Sequence, residues 1–214
     1  MSDLATRPIT PHASIEPARA HFGDAIRRHE VSAGDEHILY VDPARILEIL
    51  RWLKETPEHH FDFLSDLTAV DHGGGRPIQV VYQLLSIPHR ERLRIKAELP
   101  LSDLAIDSAV PLWATANWLE REVWDLFGVH FRGHPDLRRI LMPENYAEGH
   151  PLRKDFPLRG RFSRAEQTKR ALTAEPEDHY TPRDLAEGGE PQLVPWRETG
   201  GRPVRRDPSA GEED

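Results

Sequence analysis

Charged, aromatic and proline residues are interleaved densely between residues 118 and 158. If residues 110–128 form a helix, its apolar side chains line one stripe, and Glu120 falls inside that stripe. Arg121 and Asp125 lie one turn apart on the opposite, polar side, where they can pair. A buried carboxylate without a partner takes up a proton or lowers stability by several kcal/mol. We therefore expect Glu120 to have a cationic partner, and the nearest candidates are His134, Arg138, Arg139, Arg153 and Lys154.

Two histidines of this segment, His134 and His150, each lie between a glycine and a proline. They could be metal ligands, but the chain has no cysteine to complete a thiolate site. The glycine allows a sharp entry, and the proline restricts the backbone of the residue before it, so this tripeptide is also a means of aiming a side chain. We therefore favour a hydrogen-bonding or interfacial role for both histidines.

The compact basic cluster of the chain consists of Arg138-Arg139 and Arg153-Lys154. These cations need anionic partners, and two interpretations remain open. They pair within the chain, with Glu120, Glu122 or Asp125, or they contact the acidic surface of a neighbouring protein.

Two further patterns are given structural interpretations. Asp62, Asp66 and Asp71 are expected to be solvated or hydrogen-bonded, not catalytic, because no nucleophile lies nearby. Residues 73–75 are glycines, but no Lys-Ser/Thr pair follows them and no helix begins there. They therefore predict a mobile hairpin turn, not a phosphate-binding loop.

The composition excludes several classes of function. The chain has 214 residues, a formal net charge of −8 and no cysteine. The acidic balance does not favour nucleic acid or an anionic membrane surface as a partner. The absence of cysteine excludes disulfides and cysteine-ligated iron–sulfur clusters within the chain. No apolar run approaches the roughly 20 residues of a membrane span, so we expect a soluble, cytoplasmic chain whose membrane location depends on a complex.

A longer pattern in the same segment resembles a known family. It consists of Glu120-Arg121-Glu122, Asp125-Leu126-Phe127, His134, Arg138 and Ile140-Leu141, followed by the tract from Gly149 to Asp155. At this spacing the residues are similar to the C subunit of respiratory complex I, the proton-translocating NADH:quinone oxidoreductase. The resemblance extends over residues 17–158.

The resemblance implies an accessory subunit that holds no cofactor of its own, with FMN and iron–sulfur clusters on other subunits. Its partners would be other subunits of the hydrophilic arm, especially the large quinone-site subunit and the cluster-bearing subunits, and not nucleic acid. The chain would lie on the cytoplasmic side of the inner membrane as a peripheral protein. It would support electron transfer from NADH to quinone, coupled to proton translocation, without being catalytic alone.

The elements that position this segment follow from local patterns. Residues 17–29 predict a short helix and residues 36–41 a strand; Asp42 and Pro43 then suit the start of a second helix that Pro57 ends. Three strands follow, at residues 61–70, 78–87 and 92–99, joined by short links that favour antiparallel pairing. We predict an α+β fold with an antiparallel or mixed sheet of about four strands. The strand at 78–87 should be central and covered on both faces, by the helices at 43–55 and 110–128.

Three regions are predicted along the chain: a flexible leader at 1–16, a domain at 17–158 and an extended, proline-rich arm at 159–214. Within the arm, the apolar residues 192–196 predict an anchor in a partner's groove. The residues predicted for the motif network or an interface with other subunits are Glu120, Arg121, Glu122, Asp125, His134, Arg138, Arg139, His150, Arg153, Lys154, Asp155 and Trp196.

Two other functions remain open. The chain could be the equivalent subunit of a membrane-bound hydrogenase or of another quinone-reducing dehydrogenase, because it has no G-x-G-x-x-G motif with which to read NADH itself. It could also be a free-standing hydrolase that uses His134, His150 and nearby carboxylates.

Overall fold

The computed structural model describes residues 11–32, 34–143, 146 and 148–157. Of these, residues 11–32, 34–143 and 149–156 belong to one compact unit, which we call the first unit. The predicted arm at 159–214, including Trp196, lies outside the described residues. The architecture reported below is that of the first unit.

The described part of the first unit contains three α-helices and seven strands. Helix α1 spans Ile15–Phe22, strand β1 Ile26–Ser32, strand β2 Glu36–Val41 and helix α2 Ile46–Glu55. Strands β3, β4 and β5 span Phe63–Val70, Ile78–Ser86 and Glu91–Leu99. Strand β6 spans Ala105–Asp107, helix α3 Ala116–Phe127 and strand β7 His130–Arg132.

The main sheet has five strands in the order β1-β2-β5-β4-β3. Strands β2 and β5 pair in parallel, and the other neighbours are antiparallel. A separate parallel pair joins β6 to β7. The predicted α+β class with a mixed sheet is confirmed, but the central strand is β5 and not the predicted residues 78–87.

The predicted helix at residues 17–29 is wrong in its second half. Helix α1 ends at Phe22 because Gly23 takes a φ of 53°, a conformation that glycine adopts without strain. Residues 26–32 then pair with β2 as a strand. Ser14 and Ile15, which were expected in the flexible leader, are buried.

The second helix begins as predicted. The Asp42 side chain accepts a hydrogen bond from the Ala44 N–H, and Pro43 occupies the first position of a short 3-10 turn that leads into α2. The third helix starts later than residue 110, at Ala116, because residues 109–115 form turns.

All three helices contribute to one apolar core on one face of the main sheet. Leu93, Ile95 and Ala97 of β5 point into that core, and Arg94 and Lys96 point to the other face. The expectation that helices cover the sheet on both faces is therefore wrong for the part of the chain that the structure describes. Helix α3 lies on the core face and is contacted by residues 134–142 and 150–152 of the following segment.

Candidate functional site

The candidate site is built around the carboxylate of Asp125, which is fully buried in the third turn of α3. Its Oδ2 atom accepts hydrogen bonds from three successive backbone N–H groups, those of Ile140, Leu141 and Met142, at 3.1, 2.9 and 2.8 Å. Its Oδ1 atom accepts a hydrogen bond from Arg139 Nη1 at 2.5 Å. One side chain of the helix thus organises the whole loop at residues 139–142.

These contacts determine the charge of Asp125. Burial alone would raise the pKa of its carboxyl group, but the Met142 N–H, the Arg139 guanidinium and the N–H groups of Ile140 and Leu141 hold that pKa below its usual value. Asp125 is therefore a carboxylate at neutral pH, and its charge balances that of Arg139, whose side chain is only 13% exposed.

The expected pair between Arg121 and Asp125 is wrong. Arg121 is buried, and its guanidinium donates to the carbonyl oxygens of Arg138 at 3.2 Å and Arg139 at 3.0 Å. The helix side that its sequence predicts to be polar is covered by the following loop, so both charged groups bind the backbone of that loop. The guanidinium of Arg121 also lies 5.2 Å from the centre of the Trp118 ring.

His134 holds the same loop to the first turn of α3. Its Nδ1 atom accepts from the Asp136 N–H at 3.0 Å, and its Nε2 atom lies 3.1 Å from the carbonyl oxygen of Asn117. Because a carbonyl only accepts and an amide N–H donates, this geometry selects the neutral tautomer with hydrogen on Nε2.

His150 connects the other end of the segment to the end of α3. Its Nδ1 atom lies 2.9 Å from the backbone oxygen of Asp125, and the neighbouring N–H of Leu152 donates to the Leu126 carbonyl at 3.0 Å. The imidazole packs on Gly128, where an added Cβ would lie 2.6 Å from His150 Cδ2. A glycine is needed there for this close approach and for a φ of 81°.

Glu120 is buried as predicted, but the expectation of a cationic partner is wrong. Its Oε2 atom accepts from the Ser108 hydroxyl at 2.7 Å and its Oε1 atom from the Ala109 N–H at 2.6 Å. Burial raises the pKa of Glu120 to about 7, although these two hydrogen bonds lower it. The carboxyl faces the turn after β6, on the side of the helix away from the basic cluster.

The basic cluster divides among several partners. Arg139 pairs with buried Asp125, whereas Arg138 forms an exposed pair with Asp136 at 2.9 Å and Arg153 pairs with Asp155 at 3.2 Å. Glu122 and Lys154 are exposed.

Two contributors were not predicted from the sequence: Ser108, and Asp71 as the group that holds the segment following His150. The Asp71 carboxylate accepts from the Gly73 N–H and from the Lys154 N–H, both at 2.8 Å. Burial alone would raise its pKa, but these N–H groups hold the pKa below its usual value. The glycine turn is in contact with Lys154, so it is a docking point and not a free hairpin turn. Asp71 and Lys154 are 83 positions apart, so no local sequence pattern could have predicted this contact.

Three large apolar side chains of this region remain exposed: Trp118, Leu141 and Leu152 are 61%, 55% and 51% accessible. They lie on α3 and on the two segments that pack against it. Large apolar side chains that stay exposed are candidates for contact with a partner protein. We call Trp118, Leu141 and Leu152 the apolar rim.

The described residues contain neither a candidate metal site nor a candidate membrane span. Within the described ranges, no three His, Cys, Asp or Glu side chains are arranged to hold a metal ion. None of the helices in those ranges has the length and hydrophobicity needed to span a bilayer.

Residues 39–162 match the family described as the respiratory-chain NADH dehydrogenase, 30 Kd subunit. The matched range includes α3 and the loop that Asp125 organises. The chain belongs to this family. The resemblance noted in the sequence is therefore confirmed.

Individual members of the 30 Kd subunit family are similar over most of the domain. The C 2 subunit of the NADH-quinone oxidoreductase of Rhizobium etli (strain CIAT 652) is 46% identical over 153 residues, which are 71% of this chain and 80% of that relative. The solved trypsin-resistant fragment of Nqo5 is 32% identical with a TM-score of 0.51, covering 58% of this chain and 96% of the fragment.

A chain of the membrane-bound sulfane sulfur reductase, an archaeal respiratory membrane complex, has a TM-score of 0.57 at 22% identity. It covers 78% of this chain and 95% of its own length. At this identity the likeness shows a shared fold.

Proposed function

We propose that this chain is the C subunit of a proton-translocating NADH:quinone oxidoreductase, and that it supports electron transfer from NADH to quinone in a structural role. The observation that carries the proposal is the family match over residues 39–162, together with 46% identity to a C 2 subunit from Rhizobium etli. Its partners are other subunits of complex I. It holds no cofactor, and FMN and iron–sulfur clusters belong to other subunits.

The site supports a structural role because its polar groups are used to hold the protein's own backbone. Both ring nitrogens of His134 and the four contacts of the Asp125 carboxylate are engaged within the chain. Such a network makes a loop rigid, and a rigid loop can maintain the fixed distances that electron transfer between neighbouring subunits requires. The same engagement leaves these groups poorly placed to act on a substrate, so it does not favour a hydrolase.

The apolar rim is the surface that we assign to contacts within the complex. More specifically, we propose that this surface packs against the large quinone-site subunit, near the cluster-bearing subunits, on the cytoplasmic side of the inner membrane. The cationic side chain of Arg138 is 51% exposed at the same loop. It would supply the polar edge that surrounds apolar contacts in protein interfaces.

The related function, as part of a hydrogenase or of another quinone-reducing dehydrogenase, is less well supported. The likeness to the sulfane sulfur reductase chain is in fold at 22% identity, against 46% identity to a relative named for NADH-quinone oxidoreductase. The donor module can be identified by purifying the intact complex from gently solubilised membranes through a tag on this chain. Co-purification of NADH-oxidising, FMN-containing subunits supports the proposal, and a hydrogenase module instead would refute it.

The role of the apolar rim is tested by replacing Trp118 with Ala and Leu141 with Ser in a strain that lacks the native chain. We expect less assembled complex on native gels and less NADH-dependent quinone reduction by membranes, because loss of central apolar contacts commonly costs about 1–4 kcal/mol of binding. The matched control is Ile87→Ser, which removes an apolar side chain that is 59% exposed outside the apolar rim. Normal assembly of the double variant would show that the interface lies elsewhere.

A further inference from the structure

Four histidines lie close together, away from the Asp125 network and the apolar rim. The ring centroids of His12 and His37 are 5.1 Å apart, and His29 Nε2 lies 3.0 Å from His37 Nδ1. His59 Nδ1 lies 3.1 Å from the hydroxyl of Ser14, two residues after His12. We call His12, His29, His37 and His59 the histidine clasp. It brings the segment before α1, strands β1 and β2, and the connection from α2 to β3 to one place.

The contacts of His12 require its neutral form. The Ser14 N–H donates to its Nδ1 atom at 3.2 Å, so that nitrogen carries no hydrogen. Its Nε2 atom lies 3.1 Å from the Arg92 carbonyl oxygen, which can only accept, so Nε2 carries the hydrogen. A second proton would have to go on Nδ1, where it would face the N–H of Ser14. Protonation of His12 therefore opposes the contact that holds Ser14.

The pair formed by His29 and His37 has a similar restriction. Two ring nitrogens 3.0 Å apart share one hydrogen, so one nitrogen donates and the other accepts. If both rings were doubly protonated, two N–H groups would face each other and two positive charges would lie in contact. His37 is 5% exposed, so water screens little of that repulsion. The pair can carry at most one positive charge without moving apart.

The charged groups around the clasp do not reverse its preference for neutral histidine rings. Burial is the main cause that lowers the pKa of His12, His29 and His59 below the usual 6.5. Around His12, Glu91 and the hydrogen bond to the Arg92 carbonyl oppose the decrease in pKa, whereas the neighbouring histidines His37 and His59 add to it.

The other two members with lowered pKa values have mixed surroundings. His37 and Arg19 lower the pKa of His29 further, and Glu16 raises it. For His59, Glu58 and Glu91 raise the pKa and His89 lowers it. In each case the net change in pKa remains downward, so the folded chain favours the neutral rings.

We propose that the histidine clasp is a proton-operated latch that fixes the segment around His12–Ser14 to the sheet at neutral pH and releases it in mild acid. Ser14 is fully buried and joins the clasp through both its N–H and its hydroxyl. Helix α1 itself also rests on Ile15, Ala18 and Phe22 in the apolar core. Release is therefore expected to free the segment before the helix without unfolding the domain.

The direction with pH follows from linkage. A histidine whose pKa is lower in the folded chain contributes stability that is complete above the ordinary value of 6.5 and is lost as pH falls through the lowered pKa. A pKa that is lower by one unit corresponds to about a tenfold change in the equilibrium between closed and open latch.

The test is backbone hydrogen exchange of the full-length chain at about pH 7.5 and about pH 5.5, corrected for the intrinsic effect of pH on exchange. We expect peptides that cover residues 11–15 to lose protection several-fold in acid, roughly tenfold for each pKa unit of decrease when the titration is complete, while β4 keeps its protection. A titration followed through the histidine Cε1 protons by NMR gives the pH at which the clasp histidines become charged. The loss of exchange protection should occur at that same pH.

Variants separate the latch from general acid effects. His12→Gln combined with His29→Gln removes two ionisable members of the clasp, and the difference in protection between the two pH values should then shrink. His130→Gln, at an exposed position of β7, is the matched control and should keep the wild-type difference. Equal protection of residues 11–15 at both pH values in the wild-type chain, or an unchanged difference in the double variant, would overturn the proposal.

Discussion

At the scale of single residues, two buried carboxylates of one helix behave in opposite ways. Asp125 has a cation and three backbone N–H groups, and its pKa is lowered. Glu120 has one hydroxyl and one N–H group, and its pKa is raised to about 7. Both are 0% exposed, so burial does not distinguish them. The number and charge of the donors that the fold brings to each carboxyl group decide its ionisation.

Asp125→Asn should destabilise the domain strongly. The substitution removes the charge that balances Arg139, and breaking a buried ion pair by changing one partner costs about 3–5 kcal/mol. Denaturant unfolding monitored by circular dichroism measures the effect. Asp136→Asn is the control, because the pair of Asp136 with Arg138 is about half exposed on both sides and should change the free energy of unfolding by less than about 1 kcal/mol. Equal effects of the two substitutions would contradict the assigned role of Asp125.

Glu120→Gln should change how stability depends on pH. Because the folded pKa of about 7 lies above the unfolded value of 4.5, the stability that Glu120 contributes is complete below 4.5 and is lost as pH rises through 7. Glutamine cannot ionise, so the variant should gain stability relative to the wild type between those pH values. The gain is about 1.4 kcal/mol for each pH unit by which the folded pKa exceeds the unfolded pKa.

The measurement for Glu120→Gln is a series of denaturant unfolding curves across that pH range for both chains. Only the difference between the two chains is informative, because the histidine clasp contributes a slope of opposite sign. A constant difference across the range would mean that Glu120 has an ordinary pKa in the folded chain.

At the scale of elements, the segment at residues 149–156 acts as a strap across α3 and the β3–β4 turn. His150 and Leu152 bind the carbonyls at the end of α3, and the Lys154 N–H binds Asp71 after β3. Gly128 makes the approach possible because its missing side chain leaves room for the imidazole. The strap thus depends on one glycine that follows α3 and one aspartate that follows β3.

Gly128→Ala should loosen this strap. Gly128 and Gly133 both have φ near +80°, so alanine costs roughly 1–2 kcal/mol of backbone strain at either position. Only at Gly128 would the new Cβ also collide with His150, whereas nothing lies within 4 Å at Gly133. Gly128→Ala should therefore be the more destabilising change and should speed hydrogen exchange at the Leu152 amide. If Gly133→Ala has the same effect on that amide, the contact with His150 is not what holds the strap.

At the scale of the whole molecule, the first compact unit has one apolar core, formed by the helices and one face of the sheet. The other sheet face carries hydrogen-bonded polar side chains, such as Arg94 with Gln83 at 2.9 Å and Glu36 at 2.8 Å. A core of this extent is typical of a domain that folds independently. The predicted boundary between the domain and the arm at residue 158 remains a prediction.

A chain that ends at Leu158 should retain a cooperative unfolding transition, because it keeps every core residue found in the part of the chain that the structure describes. Thermal unfolding followed by circular dichroism, compared with the full-length chain, measures this. A broad, non-cooperative transition in the shortened chain would show that the arm belongs to the folded domain.

Patterns that depend on the local backbone were readable in the sequence. The strand β5, the Asp42 cap with Pro43, and the burial of Glu120 were all predicted, because strand formation, helix capping and helix periodicity involve residues close together in the chain. The family motif was readable for the same reason, since its spacing lies within one continuous segment.

Partners that come together from distant parts of the chain were not readable. Helices α2 and α3 lie on the same face of the sheet, Arg121 binds loop carbonyls, and Asp71 binds a backbone amide 83 residues away. A carboxylate accepts from any N–H group that reaches it, so its residue type carries no record of which one does. The fold makes that choice, because it alone determines which backbone groups lie within about 3 Å of each buried charge.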